Sequence, residues 1–136
     1  MFLDANVIFS AAITTKSRIR ALFDLSEAGF CELIASPHAV LEASRNIVVK
    51  HPERLKDLES LVSAITLVPE PDKALLNWAK KYLPDKDAPI LAAALAGNAD
   101  ILVTGDSKHF GQMFEKTFQG VLVLTPAQAL EHLSKL

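Results

Sequence analysis

Four acids stand where short apolar segments end or helices begin, and they carry most of the chemistry this chain can offer. Asp4 lies two residues before Asn6 in the opening run Met1–Phe9 (MFLDANVIF). Glu42 falls a little more than a helical turn past Ser36-Pro37, and Asp87 stands at the mouth of an alanine-rich stretch. Asp106 directly follows the apolar run Ile101–Thr104, in Val103-Thr104-Gly105-Asp106-Ser107. Carboxylates brought together repel: unit charges ~4 Å apart cost about 1 kcal/mol even in water, and more where water is partly excluded. A hard divalent cation removes that cost. Oxygen ligands without a cysteine or histidine pattern suit Mg²⁺ or Mn²⁺, ions that keep several waters and work through phosphates. Such an ion polarises a phosphodiester, lowers the pKa of a water and orients in-line attack. The chemistry implied is phosphodiester hydrolysis, with Asp4, Glu42, Asp87 and Asp106 as candidate metal ligands and catalytic groups.

Each acid also has an ordinary structural explanation. Asp87, two residues before Pro89, suits a helix N-cap; Asp106 after Gly105 suits a turn; Glu42 suits a solvated helix surface. Asp4 is harder to explain so, because an acid inside an apolar run is costly to bury unpaired. Of the spare acids, Asp100 precedes a strand and reads as structural, while Asp85 is a candidate supporting group. His109, beside Phe110, is either within reach of a phosphate near Asp106 or a surface histidine. Lys16, Arg18 and Arg20, like Lys80, Lys81 and Lys86, form either a local phosphate-binding patch or a solvated face. Trp78 and Tyr82, at i and i+4, read as packing or dimer contacts.

The elements that must position these residues alternate in type. Met1–Phe9 reads as a strand, which places Asp4 and Asn6 on one face. Ser17–Gly29 reads as a helix with Ile19, Leu22, Phe23, Leu25 and Ala28 inward, and Cys31–Ala35 as the second strand. Ser36-Pro37 opens a helix to about Lys50; Pro52–Ala64 is helical; Ile65–Val68 is a strand. Asp72–Leu83 is helical, Pro84–Asp87 a loop and Ala88–Ala96 a helix stopped at Gly97-Asn98. Ile101–Thr104 is the fourth strand, His109–Phe114 a short helix or turn and Val121–Leu124 the fifth strand. Thr125-Pro126 caps a last helix. Short apolar strands alternating with helices predict an α/β fold: a three-layer α/β/α sandwich with a five-stranded parallel sheet, as a single domain over residues 1–136.

Composition bounds the function classes. The chain has 136 residues, half of them hydrophobic, and a formal net charge of −2. That suffices for one sizeable core and excludes a disordered chain. With a sequence pI near 6.1, nucleic acid would have to be attracted locally or through bound cations rather than by overall charge. The lone Cys31 excludes an internal disulfide framework or a cysteine-rich zinc site. No apolar run reaches the ~18 residues of a membrane span, and the start lacks a basic leader region, so a cytoplasmic location is expected.

Taken in order, the motifs resemble those of PIN-domain ribonucleases. Leu3-Asp4-Ala5-Asn6-Val7-Ile8 resembles the family's Asp-Thr-Asn-Val type of start, with Ala5 in place of the commoner threonine. Ser36–Ser44 (SPHAVLEAS) places Glu42 at the second acid, Lys86–Leu95 (KDAPILAAAL) places Asp87 at the third, and Ile101–Phe110 (ILVTGDSKHF) places Asp106 at the fourth. The resemblance implies a Mg²⁺- or Mn²⁺-dependent endoribonuclease in which these four acids bind metal or activate water. It also implies supporting roles for Asn6, which would fix Asp4, and for Thr104. Family members of this size include VapC-like toxins of type II toxin–antitoxin pairs. RNA is therefore the implied substrate, a small antitoxin the implied protein partner and a homodimer the implied assembly.

The main alternative is a catalytically silent module of the same fold that binds RNA or protein. A receiver-like domain would want an adjacent acidic pair after the first strand and a lysine after the last, where this chain has a lone Asp4 and Thr125-Pro126. A haloacid-dehalogenase-type phosphatase would want Asp-x-Asp, where this chain has Asp4-Ala5-Asn6.

Overall fold

Two short buried strands at the centre of a sheet hold the rest of the molecule in register. The computed structural model describes residues 1–14 and 17–136. Strand β1 (Phe2–Leu3) lies between β2 (Ile34–Ala35) and β4 (Ile101–Val103), parallel to both, with Phe2 opposite Ile34 and Leu102. Beyond β2 lies β3 (Thr66–Leu67), and beyond β4 lies β6 (Val121–Leu124), again parallel. The sheet order is β3-β2-β1-β4-β6-β5. β1 and β4 are buried throughout, as parallel strands covered by helices on both faces must be.

The helices are α1 (Ala5–Ile13), α2 (Arg18–Glu27), α3 (Pro37–Lys50), α4 (Leu55–Val62), α5 (Lys73–Ala79), α6 (Ala88–Ala96), α7 (Ser107–Phe110) and α8 (Pro126–Ser134). α1 packs on α3 and α4, α2 on α8, and α5 on α6, giving the three-layer α/β/α arrangement. Caps set several helix starts: Ser36 Oγ accepts from the Ala39 N–H, and Thr125 and Gln128 form a reciprocal capping box. α6 carries Ala88, Ile90, Leu91, Ala92, Ala93 and Ala94 as buried residues. A helix apolar on nearly every side belongs in the interior, and its small alanines let neighbouring elements approach closely.

Two expectations need correction. The opening run is not a strand to Phe9: β1 ends at Leu3, and Asp4 is the N-cap of α1, its Oδ1 accepting from the Ala5 N–H. Val7, Ile8, Ala11 and Ala12 are the buried residues that follow, and their i, i+4 spacing is that of a helix face. Among the described residues the sheet has six strands rather than five, and it is not wholly parallel. β5 (Thr117–Phe118) pairs antiparallel with β6 at the edge. Gln119 and Gly120 join them with φ of 47° and 89°, positive at both central residues as a tight hairpin turn requires. Smaller shifts shorten α5, which ends at Ala79 rather than Leu83, and split Pro52–Ala64 into a 3₁₀ turn (Pro52–Arg54) followed by α4. Among the described residues no helix is long and apolar enough to cross a membrane.

Candidate active site

Strand order reverses between β1 and β4: from β1 the chain crosses to β2 and β3 on one side, then returns to place β4 on the other. Ligands of open α/β sheets bind outside the carboxyl ends of the strands at such a switch. Asp4 closes β1 there, its backbone N–H donating to the Val103 carbonyl at 3.0 Å. Thr104, Gly105 and Asp106 close β4 beside it.

Asp4 is 5% exposed and fully engaged. Its Oδ2 accepts from Thr104 Oγ1 at 2.8 Å and from Asn6 Nδ2 at 3.1 Å, and its Oδ1 accepts from the Ala5 N–H at 2.6 Å. Asn6 Oδ1 accepts from the Gly105 N–H at 2.8 Å, and Thr104 Oγ1 accepts from the Asp106 N–H at 3.1 Å. One network thus ties the end of β1 to the end of β4. Asn6 reaches Asp4 from the first turn of α1 rather than along a shared strand face, so the contact anticipated between them exists for a different geometric reason. Burial raises the Asp4 carboxyl to about 6; the bonds from Thr104 and Ala5 oppose the rise, and the charges of Glu42 and Asp87 add to it.

All four acids line a single cleft of about 210 Å³, together with Ala5, Asn6, Phe9, Asn46, Lys50 and Lys86. Glu42 is presented by α3 with its side chain 51% exposed, 3.8 Å from His38 Nε2. Asp87 occupies the N-cap position of α6, yet its side chain makes no capping bond. The capping explanation for that acid therefore fails, and its carboxylate is left to the cleft. Asp106 does cap: its Oδ1 accepts from the His109 N–H at 3.1 Å at the start of α7. Its other oxygen, Oδ2, lies 2.8 Å from His109 Nδ1, so a cap and an acid of the cleft are the same side chain.

His109, read from the sequence as either a phosphate-reaching group or a surface histidine, lies against two of the four acids. Its side chain is 22% exposed, and Nδ1 lies 3.1 Å from Asp87 Oδ2 as well as beside Asp106. Asp87 Oδ2 is buried and, among the described residues, takes no hydrogen bond of good geometry, with His109 Nδ1 as its ion-pair contact. Burial raises the Asp87 carboxyl, against the pull of His109 and Lys86. Burial acts the same way on Asp106, but the ring and backbone hydrogen bonds from His109 outweigh it and hold that carboxyl below its ordinary value.

Lys50 and Asn46 went unnoticed, although Glu42, Asn46 and Lys50 recur every fourth residue on α3 and so share one face. Lys50 Nζ stands 5.6 Å from the centre of the Phe9 ring. Of the basic residues singled out, Lys86 lines the cleft, whereas Arg18, Arg20, Lys80 and Lys81 do not. Arg20 Nε instead donates to the Ala11 carbonyl at 2.6 Å, and Lys16 lies outside the described residues. Asp85 does not reach the cleft either, and Asp100 sits at the opposite end of the sheet, near Met1 and Cys31. Trp78 and Tyr82 pack tilted with ring centres 5.2 Å apart, and Tyr82 continues onto Phe118.

A mainly parallel sheet covered by helices, with acids gathered at its topological switch, is an architecture that α/β enzymes and binding domains share. Residues 1–108 match the family model of the PIN domain, and the chain belongs to that family. A search of curated proteins returned no match. Among solved structures, PAE2754 from Pyrobaculum aerophilum is similar at 17% identity and a TM-score of 0.70, covering 99% of this chain and 89% of that one. VapBC2 from Rickettsia felis, solved bound to a DNA fragment from its promoter, is similar at 15% identity and a TM-score of 0.66, covering 91% of this chain and 96% of that one. VapC20 from Mycobacterium tuberculosis, a Sarcin-Ricin loop cleaving toxin, is similar at 10% identity and a TM-score of 0.56, covering 79% of this chain and 90% of that one. At these identities the likeness is one of fold.

Proposed function

We propose that this chain is a Mg²⁺- or Mn²⁺-dependent endoribonuclease, one PIN domain over residues 1–136, acting on RNA as the toxin of a toxin–antitoxin pair. The observation that carries the reading is the convergence of Asp4, Glu42, Asp87 and Asp106 on one cleft. The residues present suit a divalent cation: among the described residues Asp87 Oδ2 is a buried carboxylate oxygen without a hydrogen bond of good geometry, and carboxylate oxygens are hard ligands. Asp4, Glu42, Asp87 and Asp106 would hold the ion, which supplies neutralising charge and polarises the scissile phosphodiester.

The chain's own residues do the rest. Thr104 and Asn6 hold Asp4 Oδ2 in one orientation. A carboxylate fixed this way costs little reorganisation when substrate arrives. Glu42, the most open of the acids, would hold the ion through one oxygen and leave the other to take a proton from an attacking water. As water bonds to phosphorus and the bond to the ribose oxygen breaks, that oxygen leaves as a hydroxyl by taking a proton from solvent water, while Lys50 and Lys86 offset the phosphate charge from the cleft wall. An adjoining cleft of about 310 Å³ shares Asn6 and Asp106 and runs past Val7, Ile19 and Pro126, giving room for a nucleotide beyond the scissile bond.

The toxin assignment draws support from the family and from the similarity of fold to VapC20 and VapBC2. A small antitoxin is the expected protein partner, a homodimer the expected assembly and the cytoplasm the expected location. The test is cleavage of a panel of single-stranded and hairpin RNAs by metal-stripped protein, with Mg²⁺ or Mn²⁺ restored. Asp4→Asn and Asp106→Asn each abolish metal-dependent cleavage and keep the far-ultraviolet dichroism of the parent. Retained activity in both variants sinks the proposal, and RNA binding without cleavage under either metal assigns the chain to the silent-module alternative.

A further inference from the structure

The four acids do not account for His109. Its ring is held partly buried against Asp87 and Asp106, because α7 is capped by Asp106 and ends at Phe110, which is fully buried. Nδ1 lies 2.8 Å from Asp106 Oδ2 and 3.1 Å from Asp87 Oδ2. A single linear hydrogen bond explains only one of these contacts; a charged ring paired with both acids is the metal-free arrangement that explains the two. A ring nitrogen carries one proton at most, and with Asp106 as its partner, Asp87 Oδ2 remains buried without a donor. Cation coordination also explains both. Ligand atoms about 2.1 Å from an octahedral ion, at right angles to one another, are separated by roughly 3.0 Å, and both nitrogen–oxygen separations are of that size.

We propose that His109 Nδ1 is a nitrogen ligand that shares a cation position with Asp87 and Asp106, and that it biases the centre toward Mn²⁺ over Mg²⁺. The bias follows from ligand chemistry: imidazole suits borderline transition ions, whereas Mg²⁺ is served by oxygen donors and water. The inference rests on the metal-dependent reading above and adds to it a ligand and a selectivity. It also gives Asp106 a double duty, one oxygen capping α7 and the other facing the ion.

The experiment is pulsed electron paramagnetic resonance of the metal-stripped full chain loaded with substoichiometric Mn²⁺, for wild type and His109→Gln, alongside calorimetric titration with Mn²⁺ and with Mg²⁺. Wild type is expected to show nitrogen-14 modulation that is absent in the variant. His109→Gln is expected to weaken Mn²⁺ binding by about tenfold or more, the scale typical of perturbing a metal shell, while Mg²⁺ binding changes far less. A wild-type Mn²⁺ centre without nitrogen modulation overturns the proposal and leaves the metal-dependent nuclease reading intact. Modulation that persists in a folded His109→Gln overturns it by implicating another histidine, with His38 beside Glu42 the first to check. Tighter Mn²⁺ binding in the variant overturns it by making the ring a counter-charge that the ion displaces. Failure of wild type to bind Mn²⁺ removes both readings together. The wild-type spectrum alone tests the ligand assignment, so the outcome does not depend on the variant folding.

Discussion

Asp4 is the most constrained acid of the cleft, and its environment makes a pH prediction with a definite sign. Burial raises its carboxyl to about 6, above the unfolded value, so the folded metal-free protein binds this proton more tightly than the unfolded chain does. The corresponding stabilisation is fully present below the unfolded pKa of about 3.9 and is lost as pH rises through about 6. A cation competes with that proton. Apparent Mn²⁺ affinity is therefore expected to level off above pH 7 and to fall by at least about tenfold per pH unit well below 6, since at least the Asp4 proton must leave for the ion to bind. Isothermal titration from pH 5 to 8 measures this; a flat profile contradicts it. The four acids were legible in the sequence because acids at the ends of apolar segments need a reason to be there. His109 was not legible in the same way: a histidine beside a phenylalanine is ordinary, and only folding turns its ring between Asp87 and Asp106. Asp87 shows the converse, since its sequence position suits a cap that its side chain does not make.

At the scale of elements, the cleft depends on helix starts. Ser36 is fully buried and its Oγ caps α3, the helix that carries Glu42, Asn46 and Lys50. Ser36→Ala is expected to cost about 1 kcal/mol, read as a lower urea midpoint with an unchanged slope. Phe110 is fully buried at the end of α7, and Phe110→Ala is expected to cost about 3–5 kcal/mol. That variant should also weaken Mn²⁺ binding by loosening Asp106 and His109, whereas Ser36→Ala should change it little. Equal losses of metal affinity in the two would contradict the link between α7 and the ion. The alternation of helix and strand was readable from apolar spacing, and most helices lie where that spacing puts them. The first nine residues misled because Val7, Ile8 and Phe9 favour strands by propensity, while Asp4 starts a helix and the core takes its i, i+4 face. The sixth strand was missed because Thr117–Phe118 spans two residues and becomes a strand only by pairing through the Gln119-Gly120 turn.

The whole molecule carries a net charge of −2, so its overall field does not attract RNA. Affinity for RNA is expected to be weak in chelator and to rise at least tenfold when Mn²⁺ is restored, as measured by filter binding of an uncleavable RNA analogue to wild-type protein. Metal-independent affinity would shift the recognition to Lys50, Lys86 and the adjoining cleft. Fold class came through at this scale because buried parallel strands read as continuous apolar runs; the meeting of residues from α3 and from the starts of α1, α6 and α7 in one cleft depends on strand order, which no local pattern encodes. The measurement that tests the central claim most directly is a joint one: Mn²⁺ binding and RNA cleavage, followed in the same preparation of wild type and of folded Asp4→Asn, with and without chelator. The account predicts that wild type binds Mn²⁺ and cleaves RNA only while it is bound, and that Asp4→Asn loses both. RNA cleavage by wild type that continues in chelator, or that survives undiminished in Asp4→Asn, would contradict it.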